Sequence, residues 1–130
     1  MSWTAWTLVK AESERVPGKN FRPLAGEPLL RHVLQTLHCV PELQRIVVNT
    51  DCPDRLAPLV ADLPRVHLRL RPDDLRDGRL SANDLLARDV DELPDLLPGR
   101  LLMTHATNPL LRPATLRAAI AAFELSLIHI

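Results

Sequence analysis

Short apolar runs alternate with helix-like patterns along the chain, and this alternation restricts the fold more than any other feature. Four runs are rich in residues that favour strands, namely 5–10 (AWTLVK), 45–50 (RIVVNT), 66–70 (VHLRL) and 100–105 (RLLMTH). Each is followed by a segment with apolar residues at helical spacing, over 28–40, 53–63, 81–93 and 112–124. An order of βαβαβαβα is typical of a mostly parallel sheet covered by helices, so we predict an α/β fold.

Local signals mark where these helices begin or weaken. Pro28 falls in the first turn of the first helix, where its missing N–H costs nothing. Pro58 lies inside the second helical pattern and is expected to weaken or kink it. Ser81 is a candidate N-cap of the third helix, with Asp84 three residues further on. The acidic run over 88–93 in the same helix is interpreted as a solvated face.

Length and charge limit the classes of function. A chain of 130 residues is the size of one domain, and its 16 basic residues balance its 16 acidic ones. No net charge attracts nucleic acid or a membrane surface, so we expect neither as a partner and look for local electrostatics. The sequence has neither an apolar run that could span a bilayer nor a signal-peptide pattern. We therefore expect a cytoplasmic protein whose Cys39 and Cys52 are reduced thiols.

Basic and small polar residues cluster after the first strand. The cations are Lys10, Arg15 and Lys19, accompanied by Ser13, Gly18 and Asn20. Ligands of parallel sheets bind at the carboxyl ends of the strands, and cations, donors and a close backbone are what a polyphosphate needs. The loop is neither a Walker loop nor a G-x-G-x-x-G fingerprint. From composition alone, solvated loop charges are an equal alternative.

Five segments, in order, resemble the pattern of one family. They are SERVPGKNFRPLAGEPLLRHVL (13–34), IVVNTD (46–51), LRPDDL (70–75), SANDLL (81–86) and THATNPLL (104–111). Together they are similar to the acylneuraminate cytidylyltransferases, the CMP-sugar synthetases, over residues 5 to about 123. One such match would carry little weight, whereas five in the family's order are specific.

The resemblance implies a fold and a reaction. The fold is a three-layer, Rossmann-like nucleotide-diphospho-sugar transferase fold, here truncated after the fourth strand-helix unit. The reaction joins CTP to a nonulosonic acid or related keto-sugar, with Mg²⁺, giving a CMP-sugar and pyrophosphate. Family members continue beyond this length, which places the metal ligands and the homodimer interface outside the chain. We therefore interpret 1–123 as the CTP-binding part, and expect the apolar tail over 124–130 to be non-native and the chain alone to be inactive and marginally stable.

The resemblance also implies roles for individual residues. Lys10, Arg15 and Lys19 hold the triphosphate, Arg15 and Lys19 acting on the charge of the departing pyrophosphate, while Ser13 and Asn20 bond phosphate or ribose. The nucleoside end is assigned to Arg71, Ser81 and Asn83. Substrate or supporting roles are assigned to Asp51, His105, Thr107 and Asn108. The alternatives are an N-cap role for Asp51 and a structural strand-end role for His105.

Several positions depart from the family pattern. Lys10 replaces an arginine, Glu14 a lysine, His105 a glutamine and Asn108 a serine. These changes leave open a non-catalytic nucleotide-binding module and a CMP-octulosonate-type synthetase. A zinc site is disfavoured, because His32, His38 and Cys39 do not converge on one helix face.

Overall fold

The computed structural model describes residues 3–10, 19–71, 81–97, 99–105 and 111–128, without the side chains of 19, 105 and 126–128. In chain order the elements are β1 (Trp3–Val9), β2 (Pro23–Leu24), β3 (Glu27–Pro28), α1 (Leu29–His38), β4 (Leu43–Thr50), α2 (Pro53–Leu56), β5 (Val66–Leu70), α3 (Ala82–Glu92), β6 (Arg100–His105) and α4 (Pro113–Ile128). Short 3₁₀ turns lie at Lys19–Phe21 and Ala57–Leu59.

Four parallel strands form the main sheet in the order β5-β4-β1-β6. Strand β1 pairs on both sides and is covered on both faces, so it needs the nearly continuous apolar run that the sequence provides. The first strand of the chain therefore lies inside the sheet, while β5 and β6 are its edges. The predicted mostly parallel α/β sheet is confirmed.

Helices cover both faces of this sheet. On one face, α1, α2 and α4 contribute to a single buried cluster that includes Leu34, Leu56 and Ile120. On the other face, Trp6 and Val47 of the sheet pack against Leu85 of α3. The structure thus has the predicted three layers. No helix in the described part of the chain is long and apolar enough to cross a bilayer.

The second helix is shorter than its sequence pattern predicts. Helix α2 ends at Leu56 and continues as one 3₁₀ turn over Ala57–Leu59, in which Val60 N donates to Ala57 O at 3.3 Å. Pro58 has no N–H to donate to a carbonyl of the preceding turn, so the α-helix cannot continue regularly through it. The predicted helix over 53–63 is therefore wrong beyond its first turn.

A small hairpin precedes α1 and was not predicted. Strands β2 and β3 are joined by Ala25 and Gly26, both with positive φ, 53° and 83° respectively. Glycine adopts such angles freely, whereas alanine is strained there. With only two residues in each strand, the hairpin has no periodicity that the sequence could reveal.

The acidic run over 88–93 is not uniformly a solvated face. Asp89 has no exposed surface, although Asp91 is exposed. Asp89 lies one helical turn after Leu85, which faces the sheet, and the sheet offers Asp89 polar partners at that point. The interpretation of the run as solvated is wrong for Asp89, because the sheet buries this residue against polar partners that lie far away in sequence.

Helix α4 continues four residues past its predicted end at 124, reaching Ile128. Glu124 Oε1 accepts a hydrogen bond from Trp3 Nε1 at 2.8 Å, which ties the last helix to the first strand. The division of the chain at 124 stays a prediction.

Candidate functional site

The parallel strands bring three predicted site residues to one edge of the sheet. Val9 pairs with Thr50, and Thr50 with Leu70, so the strand ends are aligned. Lys10, Asp51 and Arg71 each follow the last residue of their strand and therefore stand side by side at the carboxyl edge. This edge is where α/β sheets bind ligands.

The backbone of His105 reaches the same edge. It pairs with Leu8 of β1, one residue before the end of that strand. Strands β1 and β6 are neighbours in space although they are the first and last strands of the sheet in sequence. In α/β sheets, ligands bind beside such a change of strand order.

The residues on either side of the basic loop, Lys10 and Asn20, are tied together at this edge. Asn20 Nδ2 donates to the backbone oxygen of Lys10 at 3.0 Å, and Asn20 is only 6% exposed. No described residue bonds its Oδ1, which stays available as an acceptor. One N–H of Asn20 Nδ2 thus has a structural role, and the predicted role of Asn20 in binding is left to its other N–H and to Oδ1.

The turn after β4 positions Asp51. Cys52 N donates to Thr50 Oγ1 at 3.1 Å, and Cys52 occupies the N-cap position of α2. The alternative prediction of an N-cap role for Asp51 is therefore wrong. Burial is the main cause that raises the pKa of the Cys52 thiol, which keeps this thiol protonated at neutral pH.

Helix α2 also contacts the segment that follows the basic loop. The guanidinium of Arg55 lies 3.8 Å from the centre of the Phe21 ring, in a cation–π contact. Phe21 ends the 3₁₀ turn that begins at Lys19. The loop after β1 is therefore anchored both to its own strand and to α2.

Arg71 is held rigidly at the carboxyl end of β5. Its backbone N donates to Thr50 O at 2.8 Å, and its Nε donates to Asn49 Oδ1 at 2.8 Å. The residue is 1% exposed. Both contacts come from β4, so the neighbouring strand determines the position of Arg71.

Ser81 and Asn83, the other residues predicted for the nucleoside end, lie at the start of α3. The predicted cap is confirmed: Ser81 Oγ accepts from Asp84 N at 3.2 Å and donates to Asp84 Oδ2 at 2.9 Å. The Ser81 hydroxyl is thus engaged in the helix cap, whereas Asn83 is exposed.

A buried polar network connects Arg71 to α3 and was missed by sequence reasoning. Asp89 Oδ2 accepts from Trp6 Nε1 at 2.9 Å and from Asn49 Nδ2 at 2.8 Å. Asp89 Oδ1 accepts from Arg69 Nε at 3.2 Å. The available signal was Asn49, a polar residue inside the apolar run IVVNT.

Four predicted residues lie outside the described part of the chain: Ser13, Arg15, Thr107 and Asn108. Lys19 begins the 3₁₀ turn, but its side chain and that of His105 are likewise outside it. Their assigned roles stay predictions.

Across the ranges that the structure describes, no three His, Cys, Asp or Glu side chains come close enough together to hold a metal ion. No residue of these ranges is therefore assigned to Mg²⁺.

Solved structures share this fold. The CMP:2-keto-3-deoxy-manno-octonic acid synthetase complexed with CTP superposes with a TM-score of 0.73 at 17% identity, over 95% of this chain and 48% of that chain. The fold is thus that of the nucleotidyltransferases, the class that the sequence pattern predicted.

Sequence comparison identifies the family. The family model described as "Cytidylyltransferase" matches residues 8–126, so the chain belongs to the cytidylyltransferase family. It is 30% identical over 116 residues to the CMP-N,N'-diacetyllegionaminic acid synthase of Legionella pneumophila, and the matched region covers 85% of this chain and 48% of the synthase. It is 31% identical over 104 residues to the bifunctional protein GlmU of Ralstonia nicotianae, covering 80% of this chain and 21% of GlmU. The chain thus spans half or less of the length of these relatives.

Proposed function

We propose that this chain forms the CTP-binding part of a cytidylyltransferase that activates an acidic sugar. The observation that carries the proposal is the alignment of Lys10, Asp51 and Arg71 along the carboxyl edge, beside a basic loop whose ends are tied by Asn20. Family membership and the fold shared with a synthetase complexed with CTP support this reading of the edge.

The proposed reaction is a nucleotidyl transfer. A sugar hydroxyl oxygen forms a bond to the α-phosphorus of CTP, the bond from that phosphorus to the bridging oxygen breaks, and pyrophosphate leaves. The hydroxyl proton passes to a base. Negative charge accumulates on the leaving group, where cations of the basic loop, Lys10, Arg15 and Lys19, stabilise it.

The base is assigned to the opposite end of the edge, at Arg71, and the ribose to the end beside Lys10, at Asn20. Arg71 is buried and fixed in orientation, which suits a group that must meet one base in one geometry. Asn20 Oδ1, buried with no bonding partner in the described ranges, is suited to accept from a ribose hydroxyl.

We propose a nonulosonic acid as the sugar, with a divalent cation and a homodimer completing the enzyme. The legionaminic acid synthase supports this choice, since its name gives a CMP-linked sugar acid of that kind as the product. The octulosonate-type alternative is supported by the fold neighbour that is a CMP:2-keto-3-deoxy-manno-octonic acid synthetase. The non-catalytic module stays as the third alternative, because Lys10 and Glu14 depart from the family pattern.

Isothermal titration of CTP and UTP into this chain, with Mg²⁺ present, tests the nucleotide site. We expect selective binding of CTP that is lost in Lys19→Ala. Arg45→Ala is the matched control, because Arg45 lies near the amino end of β4 and the variant removes the same charge far from the carboxyl edge. Equal loss of binding in both variants, or unchanged binding in Lys19→Ala, would contradict the proposed site.

Pyrophosphate release tests the activity in a chain of full family length that carries this segment. We expect release with CTP and a nonulosonic acid. Release only with an octulosonic acid would favour the octulosonate alternative. Absence of release with either sugar, despite CTP binding, would favour the module.

A further inference from the structure

We propose that Asn49 is a positioning residue that sets the base selectivity of the site by fixing the Arg71 guanidinium. This inference rests on the proposed function, because it assumes that Arg71 meets the base. Asn49 itself does not reach the carboxyl edge: it is one residue before the end of β4 and has no exposed surface.

The amide of Asn49 is polarised from both sides. Its Oδ1 accepts from Arg71 Nε at 2.8 Å, while its Nδ2 donates to Asp89 Oδ2 at 2.8 Å. The carboxylate fixes which end of the amide faces Arg71, since only Nδ2 can donate to it. The amide oxygen is therefore obliged to face the arginine.

Asp89 is in turn held from two further directions. Trp6 Nε1 donates to it from β1 at 2.9 Å, and Arg69 Nε donates to it from β5 at 3.2 Å. The chain of contacts runs from α3 through the sheet to the arginine at the edge. Because every member is buried or half-buried, displacement of any one member costs unsatisfied polar groups.

Selectivity is the property that this arrangement affects. A guanidinium presents its donors in a rigid plane, so anchoring Nε fixes the directions of the other donors. Discrimination between cytosine and uracil depends on where such groups point, whereas attraction of the triphosphate depends on charge alone. Loss of the Asn49 anchor should therefore reduce discrimination more than affinity for nucleotides in general.

Asn49→Ala is the test variant, and Trp6→Phe is the matched control. The control also removes one hydrogen bond to Asp89 from the buried core, but it leaves the contact between Asn49 and Arg71 in place. For each protein, titration gives the dissociation constants of CTP and UTP, and the ¹H–¹⁵N spectrum reports the Arg71 Nε–H signal without any nucleotide.

We expect the ratio of the UTP to the CTP dissociation constants to fall about tenfold in Asn49→Ala, the change produced by loss of one well-placed hydrogen bond to a charged group. The protected Nε–H signal of Arg71 should disappear from this variant. Trp6→Phe should keep both the ratio and the signal. An equal fall of the ratio in both variants, or an unchanged ratio in Asn49→Ala, would overturn the proposal.

Two further results separate this proposal from the function on which it rests. If the unaltered chain binds CTP and UTP equally or not at all, the proposed function fails, and the Arg71 signal alone decides whether Asn49 anchors the arginine. If Asn49→Ala does not fold, Asn49→Thr replaces it. Threonine keeps a hydroxyl that can donate to Asp89, but this oxygen lies one bond closer to the backbone than the amide oxygen and does not reach Arg71 Nε in the same way. We therefore expect the ratio to fall in this variant too, and an unchanged ratio would refute the role of Asn49.

Discussion

Replacement of Asp89 by alanine should destabilise the chain far more than an ordinary change on the surface of a helix. The variant leaves the donors of Trp6 and Asn49, two residues without exposed surface, lacking their acceptor. Each unsatisfied buried donor costs about 1–3 kcal/mol, or about 2–6 kcal/mol for both. The change also breaks the ion pair with Arg69, but the Arg69 side chain is 20% exposed and keeps a second partner in Glu92, so this break adds little. We expect a loss of about 2–6 kcal/mol in the free energy of unfolding.

Urea unfolding at neutral pH, followed by tryptophan fluorescence, measures this loss. Asp91→Ala is the matched control, because it removes the same carboxylate from an exposed position of the same helix and should change the free energy by about 0.5 kcal/mol at most. A total stability of about 5–15 kcal/mol is typical of a domain, so Asp89→Ala should visibly lower the midpoint. Equal midpoints for the two variants would refute the reasoning that the network around Asp89 stabilises the fold.

Three further outcomes are expected. Iodoacetamide should modify the exposed Cys39 before Cys52, because burial raises the pKa of the Cys52 thiol. Peptide mass spectrometry measures the order of modification, and equal rates for the two cysteines would contradict the burial of Cys52. The hydrogen bonds from Arg31 lower the pKa of Asp62 below 3.8, so the stability from this pair is present above that pH and is lost as the pH falls further. If the melting temperature of Asp62→Asn drops in acid as steeply as that of the unaltered chain, this contribution of the pair is excluded. Arg65→Lys should cost about 1–3 kcal/mol of the free energy of unfolding, because lysine cannot bond the carbonyls of His38, Val40 and Leu43 together as the guanidinium does. An unchanged urea midpoint would count against this.

The regular elements could be predicted because each leaves a local pattern. The run AWTLVK has the composition of a buried strand, and Ser81 with Asp84 has the spacing of a capping box. The carboxyl edge followed from the order of elements, since parallel strands must all end on the same side.

The network around Asp89 could not be predicted from the sequence. Its members come from β1, β4, β5 and α3, and the contact between Trp6 and Asp89 spans 83 positions. An acidic run in an amphipathic helix is usually solvated, and only the tertiary contact reverses that expectation for one residue. Helical spacing places Asp89 on the same face as Leu85, but nothing in the sequence indicates the donors that meet the carboxylate there.

The hydrogen bond between Asn20 and Lys10 has a consequence for the entropy of ligand binding. It fixes the two points between which the nine residues 11–19 must run, whatever conformation they take. A chain whose ends already meet has lost its closure entropy before any ligand arrives. On the proposed function, a triphosphate ligand then meets a smaller ordering cost, and more of its attraction to the cations remains as affinity. Residues between these two points can also differ from the family pattern, as Glu14 does, without displacing Lys10 and Asn20.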